Sequence, residues 1–291
     1  MHWFDRLVIW LYNHRRIIIL LLCSPLLIFV WQWLFDGPDF DMSVNEEYPI
    51  YDILPKHNDD TIRVIVIGDS WAEYHTTLEC DTIFCRYAEM LTTQPVKCLS
   101  IGHSAKVTKE IYNEMFSERT EEHSWDRNRC SQPLINQHPD YCIIMAGIND
   151  MRLSKPVGFY IGNYRLMLNL LIKNGIRPVV LEVPGVDMKF FNGKRKYYRR
   201  WLFSLISMWT KIDDSSIEVY REAMRKMIQE SELKNKVLFI PASAWNLGGI
   251  EANPSIYLDD RLHLNLEGYH VLDSCMATEV IKDYITRNNK R

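Results

Sequence analysis

Five short apolar runs, separated by stretches of helical length, constrain this 291-residue chain more than any other feature. Arg63–Ile67 (RVIVI) runs into Gly68-Asp69-Ser70, and Val96–Ile101 ends at Gly102. Tyr141–Ala146 (YCIIMA) ends in Gly147-Ile148-Asn149-Asp150, and Pro178–Val183 (PVVLEV) and Val237–Ile240 (VLFI) follow. Such runs, rich in Val and Ile and without polar alternation, read as strands buried on both faces. Val157–Asn174 and Ser216–Ser231 carry helical periodicity, and Glu267–Arg287 closes the chain as a helix. Buried strands alternating with helices predict an α/β domain over residues 61–291, with a five-stranded parallel sheet between helical layers. In such sheets ligands sit at the carboxyl ends of the strands, so the polar residues after the first three runs converge.

Composition removes several alternatives. Hydrophobic residues make up 47% and charged residues 24%, which excludes a disordered or collagen-like chain. A formal charge of −3, from 34 bases and 37 acids, argues against a nucleic-acid partner. Seven cysteines are too sparse for a disulfide framework.

The N-terminal region differs from the rest. Residues 17–35 (IIILLLCSPLLIFVWQWLF) carry no formal charge. As a helix they would span about 28 Å, enough for a hydrocarbon core. Pro25 is tolerated there with a kink, and Trp31 and Trp33 suit an interface. No small-residue cleavage site follows the run, and Leu22 rather than a small residue precedes Cys23, so neither signal cleavage nor lipidation is expected. Arg6, Arg15 and Arg16 precede the run, whereas residues 36–60 hold eight acids against Lys56. The positive-inside rule therefore predicts a cytoplasmic tail (1–16), a transmembrane anchor (17–35), an acidic linker (36–60) and an extracytoplasmic domain. The absence of an Asn-x-Ser/Thr acceptor favours a bacterial envelope.

Three short segments carry chemistry. A serine at the strand-to-helix turn Gly68-Asp69-Ser70-Trp71 is exposed beside helix amides, a setting for a nucleophile and an oxyanion, although Asp-Ser is also an ordinary N-cap. The side-chain amide of Asn149 can donate to an oxyanion. In Asp260-Arg261-Leu262-His263 the carboxylate stands three residues before the histidine and can reach its Nδ1, leaving Nε2 free as a base. Each segment alone is common, and an Asp-x-x-His is often a surface pair.

In this order and at these strand ends, the segments resemble the SGNH (GDSL-type) serine hydrolases, over residues 62–288. The Gly-x-Ser-x-Gly elbow of the other α/β-hydrolases is absent. The resemblance implies a flavodoxin-like three-layer α/β/α sandwich. It implies Ser70 as nucleophile, His263 as base and then acid, and Asp260 as the residue orienting His263. It implies an oxyanion hole from the Ser70 N–H, Asn149 and one loop N–H. The family's usual Asn-x-Gly-x-Ser-Gly reads Ser100-Ile101-Gly102-His103-Ser104-Ala105 here, so the loop donor is Gly102 or Ala105, and Trp71 replaces the nominal leucine. The mechanism implies no cofactor, and the chain shows no metal-ligand spacing, P-loop or dinucleotide fingerprint.

Around this site, His75 and His103 are candidate substrate contacts. Asp150 is a candidate support for the Asn149 turn, and Asp259 has the wrong spacing to orient His263. Cys80 and Cys85 are near enough in sequence to pair, whereas Cys98 and Cys142 fall on strands flanking the first and should not. Residues 189–211 hold seven basic and seven aromatic side chains and no acid. Such an insert suits a lid, a membrane-surface contact or a glycan contact.

These features lead to an expected membrane-anchored esterase that removes an O-acyl group, acetyl by family habit, from an extracytoplasmic glycan. The sequence leaves two alternatives open. One is an O-acetyltransferase of the same fold served by a multi-span membrane partner. The other is a non-catalytic glycan-binding domain.

Overall fold

The computed structural model describes His14 and residues 59–115, 131–153, 155–193 and 217–289. The expected anchor, nearly all of the acidic linker, Cys130 and most of the 189–211 insert lie outside the described residues. Among the described residues no helix is long and apolar enough to cross a membrane.

The five runs form the five strands β1 (Ile62–Gly68), β2 (Val96–Gly102), β3 (Tyr141–Met145), β4 (Arg177–Leu181) and β5 (Leu238–Ile240). All pair in parallel, in the order β2-β1-β3-β4-β5. β4 ends at Leu181, two residues short of Val183, although the Glu182 N–H still donates to the Ile240 carbonyl at 3.0 Å; the Glu182 carboxylate accepts from Arg225 Nε at 2.6 Å and from the Ala242 N–H at 2.9 Å. β3 is buried at every position and β1 at all but one, so both faces of the sheet are covered. The helices that position the site are α1 (Ser70–Thr77), α2 (Cys80–Glu89), α3 (Thr108–Glu114), α4 (Ile148–Arg152), α5 (Val157–Lys173), α6 (Ile217–Gln229) and α7 (Leu266–Asn288). α2 packs on α7 and on β2, while α5 packs on α3 and α6.

Two glycines bring the strand ends and α1 into contact. A Cβ on Gly68 would stand 2.0 Å from the Met145 carbonyl oxygen, and one on Gly102 would stand 2.2 Å from the Glu73 nitrogen. Only residues without a side chain allow β1, β2, β3 and the first turn of α1 to meet this closely. Across the domain, the Tyr269 hydroxyl donates to the Trp71 carbonyl at 2.7 Å and ties α7 to α1.

The five cysteines of the described residues are free thiols, which corrects the expected Cys80–Cys85 pair. Both lie on α2, where five residues place side chains roughly 140° apart around the axis. Cys80 points into the core and Cys85 is half-buried. Cys98 and Cys142 stand on β2 and β3, on opposite sides of β1.

Candidate active site

The nucleophile candidate is placed by the end of β1. Asp69 caps α1 by accepting from the Trp71 N–H at 3.0 Å, and its own N–H donates to the Met145 carbonyl at 3.0 Å. Burial pushes the Asp69 carboxyl up to about 7, a push that the Trp71 N–H opposes and the nearby Asp150 reinforces. Ser70 thus becomes the first residue of α1, where a helix N–H has no intrahelical acceptor.

The histidine comes from the other end of the chain. Leu258 and His263 close a tight loop through the Leu258 N–H and the His263 carbonyl at 2.8 Å, and Tyr257 and Leu264 form an antiparallel bridge. Asn265 then caps α7 by accepting from the Gly268 N–H at 3.0 Å. Inside the loop, Asp260 Oδ1 accepts from the N–H groups of Leu262 (2.9 Å) and His263 (3.0 Å). Its Oδ2 lies 2.6 Å from His263 Nδ1, and His263 Nε2 lies 2.8 Å from Ser70 Oγ. Partial burial pushes the Asp260 carboxyl up, but the hydrogen bonds from His263 and Leu262 outweigh it and hold the group below the usual carboxylate range. A charged carboxylate on Nδ1 fixes the tautomer that leaves Nε2 able to accept the serine proton.

The loop after β2 lies against the end of β1 and the first turns of α1, through the His103 N–H on the Gly68 carbonyl at 3.1 Å and the Ser104 N–H on Glu73 at 2.7 Å. Ala105 takes the left-handed backbone conformation, φ +68°, and no described group accepts from its N–H or from that of Ser70. Gly102 instead ends the β1–β2 register with its Cα against the backbone of α1, a packing role. Asn149, buried in the first turn of α4, donates one amide hydrogen to the Lys106 carbonyl at 3.0 Å and keeps the other. Asp150, expected to support the Asn149 turn, ties α4 to the start of α3 by accepting from the Thr108 N–H (3.0 Å) and Oγ1 (2.7 Å). Burial pushes its carboxyl up to about 7, against the Thr108 bonds.

The two histidines expected to touch a substrate, His75 and His103, are not open to one. The His75 side chain is fully buried, 2.8 Å from Asp273 and 3.1 Å from Asp81. Burial alone would push its ring down; the two carboxylates, Asp273 foremost, push it up to about 9. The buried His103 ring holds Glu114 of α3 at 2.6 Å, and its Nε2 is sealed from solvent. Both expected substrate contacts are thus corrected to internal struts. Two neighbours were not expected from the sequence. The Tyr74 ring stacks on the His263 ring, with centroids 4.7 Å apart and planes 23° apart. Glu73 accepts from the Ser104 N–H at 2.7 Å and from the Ser104 hydroxyl. A helical signal existed for Tyr74, since it stands four residues after Ser70 on one face of α1. Arg261, between Asp260 and His263 in sequence, ties the loop to Asp187 at 2.9 Å and stands 4.6 Å from the Phe190 ring centroid.

The arrangement offers a serine hydroxyl with a base on its proton, an orienting carboxylate and free N–H groups nearby. It can attack a carbonyl carbon and stabilise the resulting oxyanion. No group of three or more His, Cys, Asp or Glu side chains among the described residues could hold a metal ion.

Comparison with known proteins agrees with this chemistry. Residues 66–271 match the GDSL-like Lipase/Acylhydrolase family. A comparison with curated protein sequences returns no match. Among solved structures, the fold is similar to that of the acetyl xylan esterase AlAXEase, with TM-score 0.52, 18% identity, and coverage of 75% of this chain and 100% of that one. A lipase/acylhydrolase from Enterococcus faecalis gives TM-score 0.51 at 13% identity, covering 76% of this chain and 96% of its own. A GDSL-like lipase from Bacteroides thetaiotaomicron gives TM-score 0.50 at 15% identity, covering 81% and 100%. At these identities the structural likeness is one of fold, and the family match extends it to chemistry: the chain belongs to the GDSL-like lipase/acylhydrolase family and is a hydrolase of ester bonds.

Proposed function

We propose that Ser70, His263 and Asp260 are the catalytic triad of an esterase that removes O-acetyl groups from an extracytoplasmic glycan. The observation that carries the triad is its unbroken line of contacts, 2.8 Å from Ser70 Oγ to His263 Nε2 and 2.6 Å from His263 Nδ1 to Asp260. His263 takes the serine proton as Oγ attacks the ester carbonyl carbon. The tetrahedral oxyanion is held by the Ser70 N–H, the Ala105 N–H and the remaining Asn149 amide hydrogen. His263 returns the proton to the departing sugar oxygen, leaving an acyl-serine. Water attacks next, gives its proton to His263, and acetate leaves as Oγ is reprotonated.

The substrate and location rest on different support. The uncharged run at 17–35, with arginines before it and acids after it, favours an anchor that holds the domain outside the cytoplasm. For the substrate, one protein of similar fold is an acetyl xylan esterase, which favours an acetylated glycan. The test is acetate release by the full-length chain from O-acetylated polysaccharides, beside p-nitrophenyl acetate and a Ser70→Ala control. Free acetate from a glycan, lost in the control, is the expected result. Turnover of p-nitrophenyl acetate without acetate from any glycan would overturn the glycan assignment. Acetyl transfer to an added sugar without free acetate would make the protein a transferase.

A further inference from the structure

We propose that Glu73 is a positioning residue for the oxyanion hole, holding the Ser104–Ala105 peptide in the conformation that presents the Ala105 N–H. The inference rests on the reading of that N–H as an oxyanion donor. The wall after β2 is pinned at nearly every residue. The His103 N–H donates to the Gly68 carbonyl at 3.1 Å, and its ring holds Glu114. The Lys106 carbonyl is held by Asn149, and Thr108 by Asp150. Only Ser104 and Ala105 lie between these fixed points, and both are exposed.

Ala105 is the weak link. Its φ of +68° is a conformation that glycine adopts freely and that a residue with a Cβ resists. The turn bond from the Lys106 N–H to the His103 carbonyl is long, 3.4 Å, and without a further restraint an exposed alanine there relaxes to negative φ, and the peptide carrying its N–H rotates away. Glu73 supplies the restraint from α1. Its carboxylate accepts from both the N–H and the hydroxyl of Ser104, the residue that forms the peptide bond to Ala105. A doubly accepting carboxylate is directional, and a charged acceptor makes the stronger kind of hydrogen bond. The same first turns of α1 thus carry the nucleophile and the strut for the oxyanion wall.

Glu73 is coupled to position 105: the strut is needed because residue 105 carries a side chain. The test compares Glu73→Ala in the natural chain with Glu73→Ala in an Ala105→Gly background, using full-length protein and p-nitrophenyl acetate. In the natural chain kcat should fall at least about tenfold, a fraction of what loss of an oxyanion donor costs, while KM stays within about twofold. With glycine at 105 the left-handed conformation no longer needs a restraint, and the same Glu73 substitution should lower kcat less than about threefold. Glu73→Gln keeps one carbonyl oxygen to accept from Ser104 and should fall between wild type and alanine; thermal unfolding of each variant verifies that it is folded. An equal loss in both backgrounds, or no loss in the natural chain, would overturn the proposal. Ser70→Ala is the separate control: if it retained turnover, the triad reading itself would fail.

Discussion

The domain holds two histidines in nearly the same company, and they do opposite work. His263 has Asp260 at 2.6 Å on one nitrogen and the Ser70 hydroxyl at 2.8 Å on the other. His75 has Asp273 at 2.8 Å on one nitrogen and Asp81 at 3.1 Å on the other. One ring lies partly open in a loop at the carboxyl ends of the strands; the other is sealed between α1, α2 and α7. A carboxylate on one nitrogen therefore does not make a base. The partner of the second nitrogen decides: a hydroxyl can give up a proton, whereas a second carboxylate holds the ring as a cation. On the proposed mechanism His263 passes a proton between Ser70 and the leaving group, whereas His75 is a buried strut.

The sharpest way to break this contrast is to delete each ring. His263→Ala should lower kcat for p-nitrophenyl acetate by about 10⁴-fold or more, with little change in Tm. His75→Ala should do the reverse. It leaves two carboxylates facing each other in the core and should cost about 3–5 kcal/mol of stability, while kcat of the folded protein stays within a few-fold. Urea unfolding monitored by circular dichroism measures the second effect. If both variants lost activity and kept stability, the two sites would not be distinct in the way described.

A pH series sharpens the same contrast. The His75 ring titrates at about 9 in the folded protein, against 6.5 for an ordinary histidine, so the folded state binds a proton that the unfolded chain releases. Its contribution is complete below pH 6.5 and is lost as pH rises through 9. Unfolding free energy should decline over that window in wild type and show a flatter profile in His75→Ala. An identical slope in both would remove His75 as the source.

The smallest expected effect concerns the open histidine. Tyr74 covers one face of the His263 ring. Tyr74→Leu should lower kcat roughly threefold to tenfold through a less ordered base, with KM little changed. Tyr74→Phe keeps the stacked ring and should restore wild-type turnover. Failure of phenylalanine to restore it would assign the effect to the hydroxyl instead.

Much of this was legible in the sequence, and the reasons are physical. Strand runs such as RVIVI announce themselves because burial on both faces forbids polar alternation. The Asp260–His263 contact is local: three residues of loop suffice to bring the carboxylate to Nδ1. Ser70 follows from the turn at the end of β1. What escaped depends on contacts between segments distant in sequence. Nothing near His75 in the chain announces Asp273, which arrives from α7. Glu73 and Tyr74 look like ordinary surface positions of a short helix until the β2 loop and the Asp260–His263 loop are folded onto it. The packing role of Gly102 likewise needed three dimensions, because only the approach of α1 shows why residue 102 lacks a side chain. The expected Cys80–Cys85 pair failed because sequence proximity ignores direction on a helix.

The central claim is that the Ser70 hydroxyl, activated by His263 and Asp260, is the nucleophile. The most direct test treats the full-length chain with a fluorophosphonate probe and maps the adduct by mass spectrometry, alongside p-nitrophenyl acetate turnover. The account predicts a single adduct on Ser70, loss of turnover in proportion to labelling, and slow labelling in Asp260→Asn. An adduct on another residue, or full turnover with Ser70 blocked, would contradict it.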